Sequence, residues 1–261
     1  MQRDGNTLTL QGPAHGVVLI TGGSRGIGAA CARRVATLGQ HVLIAYADNA
    51  DAAESLRQEI AGRGGSASTC RADVGDEQGV LALFRAVEAS GLPLAGLVNN
   101  AAVSGGFSRL EALRDDALRR VLAVNVAGAV LCAREAVRRL STRQGGQGGS
   151  IVNVSSLAAK LGSPGEWIHY AASKGAIDTL TVGLAREVAT EGIRVNAVAP
   201  GLIDTDFHAA AGAPERVAAL APSTPMQRAG TPAEVADAIV WLMSTAAAYI
   251  TGAVLPVGGG R

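Results

Sequence analysis

Two residues in the stretch "YAASK", Tyr170 and Lys174, have the types and the spacing to move a proton beside a carbonyl group. Residues four apart on a helix lie on one face, so the two side chains should be neighbours. A free phenol has a pKa of about 10, and a nearby ammonium favours the phenolate, so we expect a lowered pKa for Tyr170. Such a phenol could act as general acid or base while a hydride moves to or from a carbonyl carbon. Because the chain has only two lysines, Lys160 and Lys174, chance does not readily explain the pair.

A glycine-rich stretch, "TGGSRGIG" (Thr21–Gly28), follows the apolar run that begins at Val17. Its first two glycines permit a turn that side chains would block. Its last two should let the backbone approach a bound group and let the next helix pack close to a sheet. The unpaired N–H groups at the start of that helix predict a pyrophosphate site. No GK[ST] follows, which disfavours an ATP or GTP site, and a methyltransferase would share the turn but not the Tyr170–Lys174 pair.

The elements that must position these residues are short apolar runs alternating with stretches of helical periodicity. The predicted strands are Val17–Thr21, His41–Ala45, Ala67–Arg71, Gly96–Asn99, Ile151–Ser155, Arg194–Pro200 and Ala253–Val257. The predicted helices are Gly26–Leu38, Ala50–Arg63, Asp76–Ser90, Asp115–Leu140, Tyr170–Thr190 and Pro232–Ser244. Apolar runs without alternation are typical of strands buried on both faces. The pattern predicts an α/β fold: one domain with a doubly wound, Rossmann-like parallel sheet of about seven strands flanked by helices.

The composition indicates a chain with a large core and no marked affinity for polyanions. Of 261 residues, 48% are hydrophobic, and the formal net charge is +1, so we expect neither nucleic acid nor a membrane as partner. The three cysteines form no CxxC and the four histidines no HxxxH, so we expect reduced thiols, a cytoplasmic location and no metal site. Residues 1–14 are expected to be a poorly ordered extension before a domain at residues 15–261.

Several further motifs resemble, in order, those of the short-chain dehydrogenase/reductase family. After the glycine turn they are "ADV" (Ala72–Val74), "NNAA" (Asn99–Ala102), "VNV" (Val124–Val126), "NVSS" (Asn153–Ser156), "YAASK" (Tyr170–Lys174), "APG" (Ala199–Gly201) and the ending "YITGAVLPVGGG". The resemblance covers nearly the whole chain from about Val17. It is nearest to bacterial members labelled as sugar dehydrogenases or 3-oxoacyl-carrier-protein reductases.

The resemblance implies four catalytic residues: Asn125, Ser156, Tyr170 and Lys174. Ser156 would hydrogen-bond the substrate oxygen, and Ser155 is the competing choice because neighbours on a strand face opposite sides. Lys174 would also hydrogen-bond the nicotinamide ribose. Asn125 interrupts an apolar helical stretch, where it either holds a water that relays protons to Lys174 or marks a kink in the helix.

The cofactor implied by the resemblance is a nicotinamide dinucleotide. Asp73 would bind the adenine amino group, Asn99 would line the adenosine side, and Thr205 would reach the nicotinamide amide. The residues expected at the cofactor are Gly22, Ser24, Arg25, Gly26, Ile27, Gly28, Tyr46, Asp73, Val74, Asn99, Ala101, Tyr170, Lys174, Pro200, Gly201, Ile203 and Thr205.

Two residues favour NADP(H) over NAD(H). In the family, a carboxylate at the end of the second strand binds the ribose 2′-hydroxyl and repels a 2′-phosphate, but that position here holds Tyr46. Arg25, beside the glycine turn, could bind a 2′-phosphate with its guanidinium. Asp48 lies two residues beyond Tyr46 and favours the opposite choice, so NAD(H) stays open as an alternative.

Two segments, Gly162–His169 and residues 203–225, are expected to form the substrate pocket. The first is one residue longer than is usual in the family, and its Trp167 or Glu166 is either a substrate contact or a surface side chain. The second is either a mobile lid or an ordinary surface excursion. Aromatic residues make up only 3% of the chain, so we expect no broad stacking platform. The identity of the substrate stays open.

We therefore expect an NADP(H)-dependent oxidoreductase that transfers a hydride between the nicotinamide and a small carbonyl or secondary alcohol substrate. The alternative is a catalytically silent nucleotide-binding sensor or scaffold, which would need none of the four catalytic residues. An enoyl reductase fits less well, because that group separates its tyrosine and lysine more widely. The resemblance also implies a homo-tetramer or homo-dimer that pairs through the fourth and fifth helices.

Overall fold

Seven parallel strands form one sheet at the centre of the computed structural model, which describes residues 8–261. The strands are β1 (Val17–Ile20), β2 (His41–Tyr46), β3 (Ser66–Arg71), β4 (Leu94–Asn99), β5 (Gly149–Val154), β6 (Ile193–Pro200) and β7 (Val254–Val257). They lie in the order β3-β2-β1-β4-β5-β6-β7, and every neighbouring pair is parallel. This confirms the predicted doubly wound sheet, whose strand order reverses between β1 and β4.

Helices cover both faces of the sheet. The α-helices of the described residues are α1 (Gly26–Ala36), α2 (Ala50–Gly62), α3 (Glu77–Ala89), α4 (Asp115–Leu122), α5 (Ala129–Leu140), α6 (Ala158–Leu161), α7 (Ile168–Glu187), α8 (Phe207–Ala210), α9 (Arg216–Leu220) and α10 (Pro232–Met243). Within residues 8–261, none of them combines the length and the hydropathy that crossing a membrane requires.

Side chains of β1 alternate between two cores, because successive residues of a strand face opposite sides of the sheet. Val18 and Ile20 pack with buried residues of α1, α2 and α10. Val17 and Leu19 pack with buried residues of α3, α5 and α7. Both faces of the strand are dry, which explains why its sequence is an unbroken apolar run.

The helix predicted over Asp115–Leu140 is interrupted. It consists of α4, one π-helical turn at Ala123–Gly128, and α5. Asn125 is 1% exposed and lies in this turn. Single π-helical turns are irregularities that often occur at functional sites, so the position of Asn125 agrees with its interpretation as a marker of a helix distortion.

Two segments outside the main helices also have regular structure. Residues 203–225 contain α8, α9 and a short 3-10 turn at Ala221–Ser223. Before β1, Leu10 forms an antiparallel bridge with Ser244, just after α10. The described part of the predicted extension therefore contacts the domain, where poor order was expected. Its residues 1–7 lie outside the described residues.

Candidate active site

A cavity of about 610 Å³ opens at the carboxyl ends of the central strands, next to the reversal between β1 and β4. Its lining includes the glycine turn after β1 and the Tyr170–Lys174 pair of α7. The volume lies in the range of small-molecule and cofactor sites, and ligands of open α/β sheets bind at this edge. One cavity thus joins the two features that the sequence singled out.

The glycine turn is held in place by the chain that follows β4. Gly22 has φ +60°, a left-handed conformation that favours glycine. Asn100 Nδ2 donates hydrogen bonds of 2.9 Å to the carbonyls of Thr21 and Gly22. The hydroxyl of Thr21 in turn accepts from the backbone N–H groups of Asn100 and Ala101, at 3.0 and 3.1 Å. These bonds fix the path of the turn before α1 begins.

The start of α1 is suited to an anion. The cap residue, Arg25, makes no side-chain hydrogen bond to the helix, so the first N–H groups lack a side-chain acceptor. Gly26, with φ +52°, and Ile27 line the cavity at this point. An uncapped helix start beside a glycine turn fits a dinucleotide pyrophosphate.

Of the two roles expected for Gly28, the structure favours the close packing of α1. It does not line the cavity, and a Cβ built on it would lie 2.3 Å from the carbonyl oxygen of Gly22. Its missing side chain permits close packing between α1 and the turn. The cofactor would therefore depend on Gly28 only through the shape of the turn.

Tyr170, Ser156 and Lys174 lie together in the cavity. Tyr170 is 8% exposed, and the nearby Ser156 hydroxyl acts to lower the pKa of its phenol. Lys174 is 3% exposed, and its Nζ donates a 2.7 Å bond to the carbonyl of Val154 at the end of β5. The lysine Nζ lies 5.6 Å from the centre of the Tyr170 ring. The arrangement places a proton donor beside a second hydroxyl and a fixed amine.

The two adjacent serines differ in their partners. Ser155 Oγ is buried and donates to the backbone carbonyl of Lys174 at 3.2 Å, so its hydroxyl anchors α7 to β5. Ser156 Oγ accepts from the N–H of Ala158 at 3.1 Å, and its hydroxyl lies on the side of the Tyr170 phenol, whose pKa it acts to lower. This geometry favours Ser156 as the substrate contact.

Burial shifts the pKa values of both α7 groups toward their neutral forms. Desolvation raises the pKa of Tyr170 to about 12, and the Ser156 hydroxyl opposes this only in part. In the described chain, the cost of burying a phenolate acts against the expected lowering, which stays a prediction for the site with its cofactor bound. Desolvation also lowers the pKa of Lys174 to about 8, while the charge of Asp178 acts to raise it.

Asn125 is close to the site but does not line the cavity. Its Oδ1 accepts from Val103 N at 2.8 Å, and its Nδ2 donates to the Val103 carbonyl at 2.9 Å and to Ser173 Oγ at 3.0 Å. Its amide thus ties the π-helical turn to the strand-end loop and to α7. These bonds make Asn125 a residue that positions the neighbours of the site.

Of the residues expected at the cofactor, all except Gly28 and Asn99 line the cavity. Asn99 is a correction: it is 6% exposed, and its Nδ2 donates to the carbonyl of Ala129 and to Asn153 Oδ1. Its neighbour Asn100 lines the cavity in its place. Because successive strand residues face opposite sides, only one of the two asparagines can face the ligand edge.

Asp73 lines the cavity but is already strongly engaged. Its carboxylate accepts from Arg120 of α4 at 2.7 and 3.1 Å and from the N–H of Gly75 at 2.9 Å. Although burial acts to raise it, these bonds hold the pKa of Asp73 below its usual range. An adenine amino group would have to share this carboxylate with Arg120. Sequence reasoning missed the contact between Arg120 and Asp73.

The residues that bear on cofactor choice lie at the mouth of the cavity. Arg25, Tyr46 and Asp48 all line it, and Arg25 and Asp48 are exposed. Among the described residues, neither of these two charges takes part in an ion pair. Both are therefore available to a ligand, one attracting and one repelling a phosphate.

The other end of the cavity is formed by the two expected substrate segments. Trp167 is 4% exposed and lines the cavity, which excludes its interpretation as a surface side chain. Glu166 instead forms an ion pair with Arg216 of α9, at 2.5 Å. Phe207 and Arg216 also line this end, and sequence reasoning missed both because their segment carries no recognisable motif.

Metal ligation has no candidate cluster in this part of the chain or elsewhere in residues 8–261. No group of three or more His, Cys, Asp or Glu side chains comes together there in a way that could hold a metal ion.

The chain is similar to known oxidoreductases over nearly its whole length. A family model described as "Enoyl-(Acyl carrier protein) reductase" matches residues 22–261. The uncharacterized oxidoreductase YgfF of Escherichia coli is 50% identical, over 94% of this chain and 99% of its own. Cis-4-hydroxycyclohexanecarboxylate dehydrogenase of Sinomonas cyclohexanicum is 39% identical, over 95% and 96% of the two chains. A mutant short-chain dehydrogenase/reductase of Serratia marcescens has a similar structure, with a TM-score of 0.87 and 36% identity over 96% and 98% of the chains.

Proposed function

Because the chain belongs to the short-chain dehydrogenase/reductase family of oxidoreductases, we propose that it transfers a hydride between NADP(H) and a carbonyl or secondary alcohol substrate, with Tyr170 as general acid or base. The observation that carries this proposal is the grouping of Tyr170, Ser156 and Lys174 in the cavity that also contains the glycine turn. A hydroxyl pair beside a buried amine suits proton transfer to a substrate oxygen.

Ser156 and Tyr170 would have different roles in the reaction. NADP(H), when bound, supplies or accepts the hydride. The hydroxyl of Ser156 would orient the substrate oxygen, since it lines the same cavity as the phenol that must exchange a proton with that oxygen. With a pKa of about 12, Tyr170 holds its proton at neutral pH and is ready to donate it to a carbonyl oxygen.

Lys174 would position the ribose of the cofactor next to Tyr170. Its Nζ is fixed by the Val154 carbonyl at 2.7 Å, which leaves its remaining N–H bonds for a ribose hydroxyl. With a pKa of about 8, it is mostly protonated at pH 7. A positive charge there would favour the phenolate, which is the base for alcohol oxidation and the state that Tyr170 reaches after it donates its proton in carbonyl reduction.

NADP(H) is the cofactor that the mouth of the cavity suits best. The exposed guanidinium of Arg25 is free of ion pairs within the described residues and lines the mouth beside Tyr46. A guanidinium binds a phosphate with two parallel hydrogen bonds, whereas NAD(H) offers only a hydroxyl at that place. Asp48 opposes this preference, so NAD(H) is the second cofactor to be measured.

The test is Tyr170→Phe, which removes only the hydroxyl that carries the proton. We expect the loss of the proton transfer to lower kcat for ketone reduction by about 10² to 10⁴. NADPH affinity, measured by fluorescence titration, should stay within about threefold because the ring is kept. Tyr249→Phe is the matched control, since Tyr249 is fully exposed and outside the cavity. Activity of Tyr170→Phe within about tenfold of the parent would exclude Tyr170 as the proton donor.

The alternative, a silent nucleotide-binding scaffold, is less well supported. A scaffold would need the glycine turn but not the buried amine, whose pKa of about 8 shows that its burial is costly. Turnover of NADPH with diketones, acetoacetyl thioesters, aldoses and quinones would distinguish the two. An enoyl thioester belongs in the same panel, because the matching family model is described by that activity.

A further inference from the structure

Half of the chain's aromatic residues gather at the substrate end of the cavity. The chain has three Phe, three Tyr and two Trp, and four of these eight are Phe107, Trp167, Tyr170 and Phe207. Ring centres lie 5.5 Å apart for Trp167 and Tyr170, 5.5 Å for Tyr170 and Phe207, and 6.0 Å for Trp167 and Phe207. The low aromatic content did not predict this cluster, because the fold brings together rings that are far apart in the sequence. The rings of these three pairs are tilted to one another by 45°, 48° and 52° and, as expected, form no broad flat platform for large planar substrates.

We call Phe107, Trp167 and Phe207 the aromatic wall. Trp167 and Phe207 line the cavity together with Tyr170. Phe107 does not line it, and its ring stacks on Trp167 with centres 4.4 Å apart and an interplanar angle of 21°. The indole is therefore supported from behind and presents a fixed apolar surface next to the Tyr170 phenol.

The charges beside the aromatic wall cancel. The Arg216 guanidinium lies 5.4 Å from the Phe107 ring centre and 5.2 Å from that of Trp167. Its two terminal nitrogens donate to the Glu166 carboxylate at 2.5 and 2.7 Å. A charged substrate group would have to replace Arg216 or Glu166 in this ion pair, so a neutral substrate fits this end of the cavity better.

Two buried nitrogens near the aromatic wall have no hydrogen-bond partner among the described residues. They are Nε of Arg216 and Nδ1 of His208, and both residues line the cavity. Together they could pair with one polar substituent. A polyhydroxylated ligand needs many more partners, and hydroxyls placed against rings would lose their hydration without compensation.

We propose that the aromatic wall binds the hydrocarbon ring of a neutral cyclic ketone or cyclic secondary alcohol, and so holds the reacting carbon beside Tyr170. This rests on the proposed function and names its substrate class. Aromatic rings bind flat or cyclic hydrocarbon groups through face and edge contacts. The residues that determine specificity would be Trp167 and Phe207, with Phe107 positioning the indole.

The binding test uses Trp167 as its own reporter. The chain has two tryptophans, and Trp241 lies on α10, partly exposed and outside the cavity. In the Trp241→Phe protein, cyclohexanol should change the emission of Trp167 in a saturable way, and glucose at the same concentrations should not. The Trp167→Phe protein, which keeps Trp241, should not respond. A response to cyclohexanol that is absent, or matched by glucose, would overturn the proposal.

The kinetic test compares cyclohexanone with acetone, which has no ring. Phe207→Leu should lower kcat/KM for cyclohexanone by about tenfold, because a ring contact is lost. The value for acetone should change by less than about threefold. Phe207 lies on the short helix α8 and is only half-buried, so this change should not prevent folding, and Trp167→Leu is the second variant. An equal loss for both ketones would overturn the proposal.

The two tests separate this proposal from the proposed function. If cyclohexanol changes Trp167 emission but no ketone is reduced with NADPH, the aromatic wall is upheld and the oxidoreductase assignment of the site fails. If acetone is reduced while cyclohexanol leaves the emission unchanged, the assignment stands and the aromatic wall is overturned.

Discussion

At the scale of residues, burial decides the protonation of the two groups on which the proposed chemistry depends. Tyr170 and Lys174 are both almost completely buried, and their pKa values move to about 12 and about 8. Spacing alone suggested that the ammonium would acidify the phenol. The structure adds the desolvation cost of each charge, which is the largest cause of both shifts.

The buried amine should show itself in the pH dependence of stability. The pKa of Lys174 is about 8 in the folded chain and 10.5 in the unfolded one, so between these values only the unfolded chain binds this proton. The free energy of unfolding should therefore rise with pH across this window, by about 3 kcal/mol. Lys174→Met lacks this proton and should lack this increase.

Urea unfolding of both proteins at intervals from pH 7 to pH 10 would measure the difference. Contributions from groups far from Lys174 cancel when the two curves are subtracted. Tyr170 is a neighbour of Lys174, so the same comparison is repeated in the Tyr170→Phe background. If the difference in the free energy of unfolding between the parent and Lys174→Met stays constant over this pH range, the pKa of Lys174 is not lowered in the folded chain.

At the scale of elements, the glycine turn is built by contacts between β1, α1 and the chain after β4. Asn100 binds two carbonyls of the turn, and Gly28 allows α1 to pack against Gly22. The pattern of glycines predicted a turn followed by a helix. It did not distinguish Gly26, which lines the cavity, from Gly28, which packs against Gly22. At both positions a side chain would be unfavourable, so the residue type alone does not tell the two roles apart.

Gly28→Ala should deform this turn. The added Cβ would lie 2.3 Å from the carbonyl oxygen of Gly22, so the backbone must move, at a cost of about 1–3 kcal/mol in the free energy of unfolding. NADPH binding should weaken as well. Urea unfolding and NADPH titration would measure the two effects.

The control for this change is Gly62→Ala, at the end of α2. A Cβ there would meet nothing within 4 Å, and the φ angle is not in the left-handed region. It should leave NADPH binding unchanged and stabilise the chain by up to about 1 kcal/mol. If both variants lose stability equally, the packing role of Gly28 is wrong.

At the scale of the whole molecule, a cofactor would join distant parts of the chain. The cavity is lined by residues after β1, β2, β3, β4, β5 and β6, so a ligand that spans it contacts both halves of the sheet. A ligand that binds the folded chain but not the unfolded chain stabilises the folded state by mass action.

The expected homo-dimer or homo-tetramer stays a prediction. Leu122 and Val130, both in the segment predicted as the fourth helix (Asp115–Leu140), are exposed apolar side chains where a second copy could pack.

NADPH should therefore stabilise this protein more than NADH does. At a concentration of about 100 Kd, the ligand adds about 2.7 kcal/mol to the free energy of unfolding. Arg25→Ala should reduce the thermal shift caused by NADPH and raise KM for NADPH much more than for NADH. Arg63→Ala, an exposed arginine outside the cavity, is the control. An equal effect of Arg25→Ala on both cofactors would remove the argument for NADP(H).

The sequence by itself determined the seven strands, the helices between them, the glycine turn and the Tyr170–Lys174 pair. All of these depend on local spacing: unbroken apolar runs, helical periodicity, and residue types that only a turn or a helix face explains. The resemblance to a known family added Ser156 and most of the residues that line the cavity.

Only the tertiary structure decided which side chains share the site. It turned Asn100 rather than Asn99 toward the cavity, closed the Arg120–Asp73 pair across 47 positions of the sequence, and assembled the aromatic wall from segments 60 and 40 residues apart. It also added the burial of the Tyr170 phenol, which acts to raise its pKa. Long-range contact and the desolvation that follows from burial leave no trace in local spacing, so they had to be read from the folded chain.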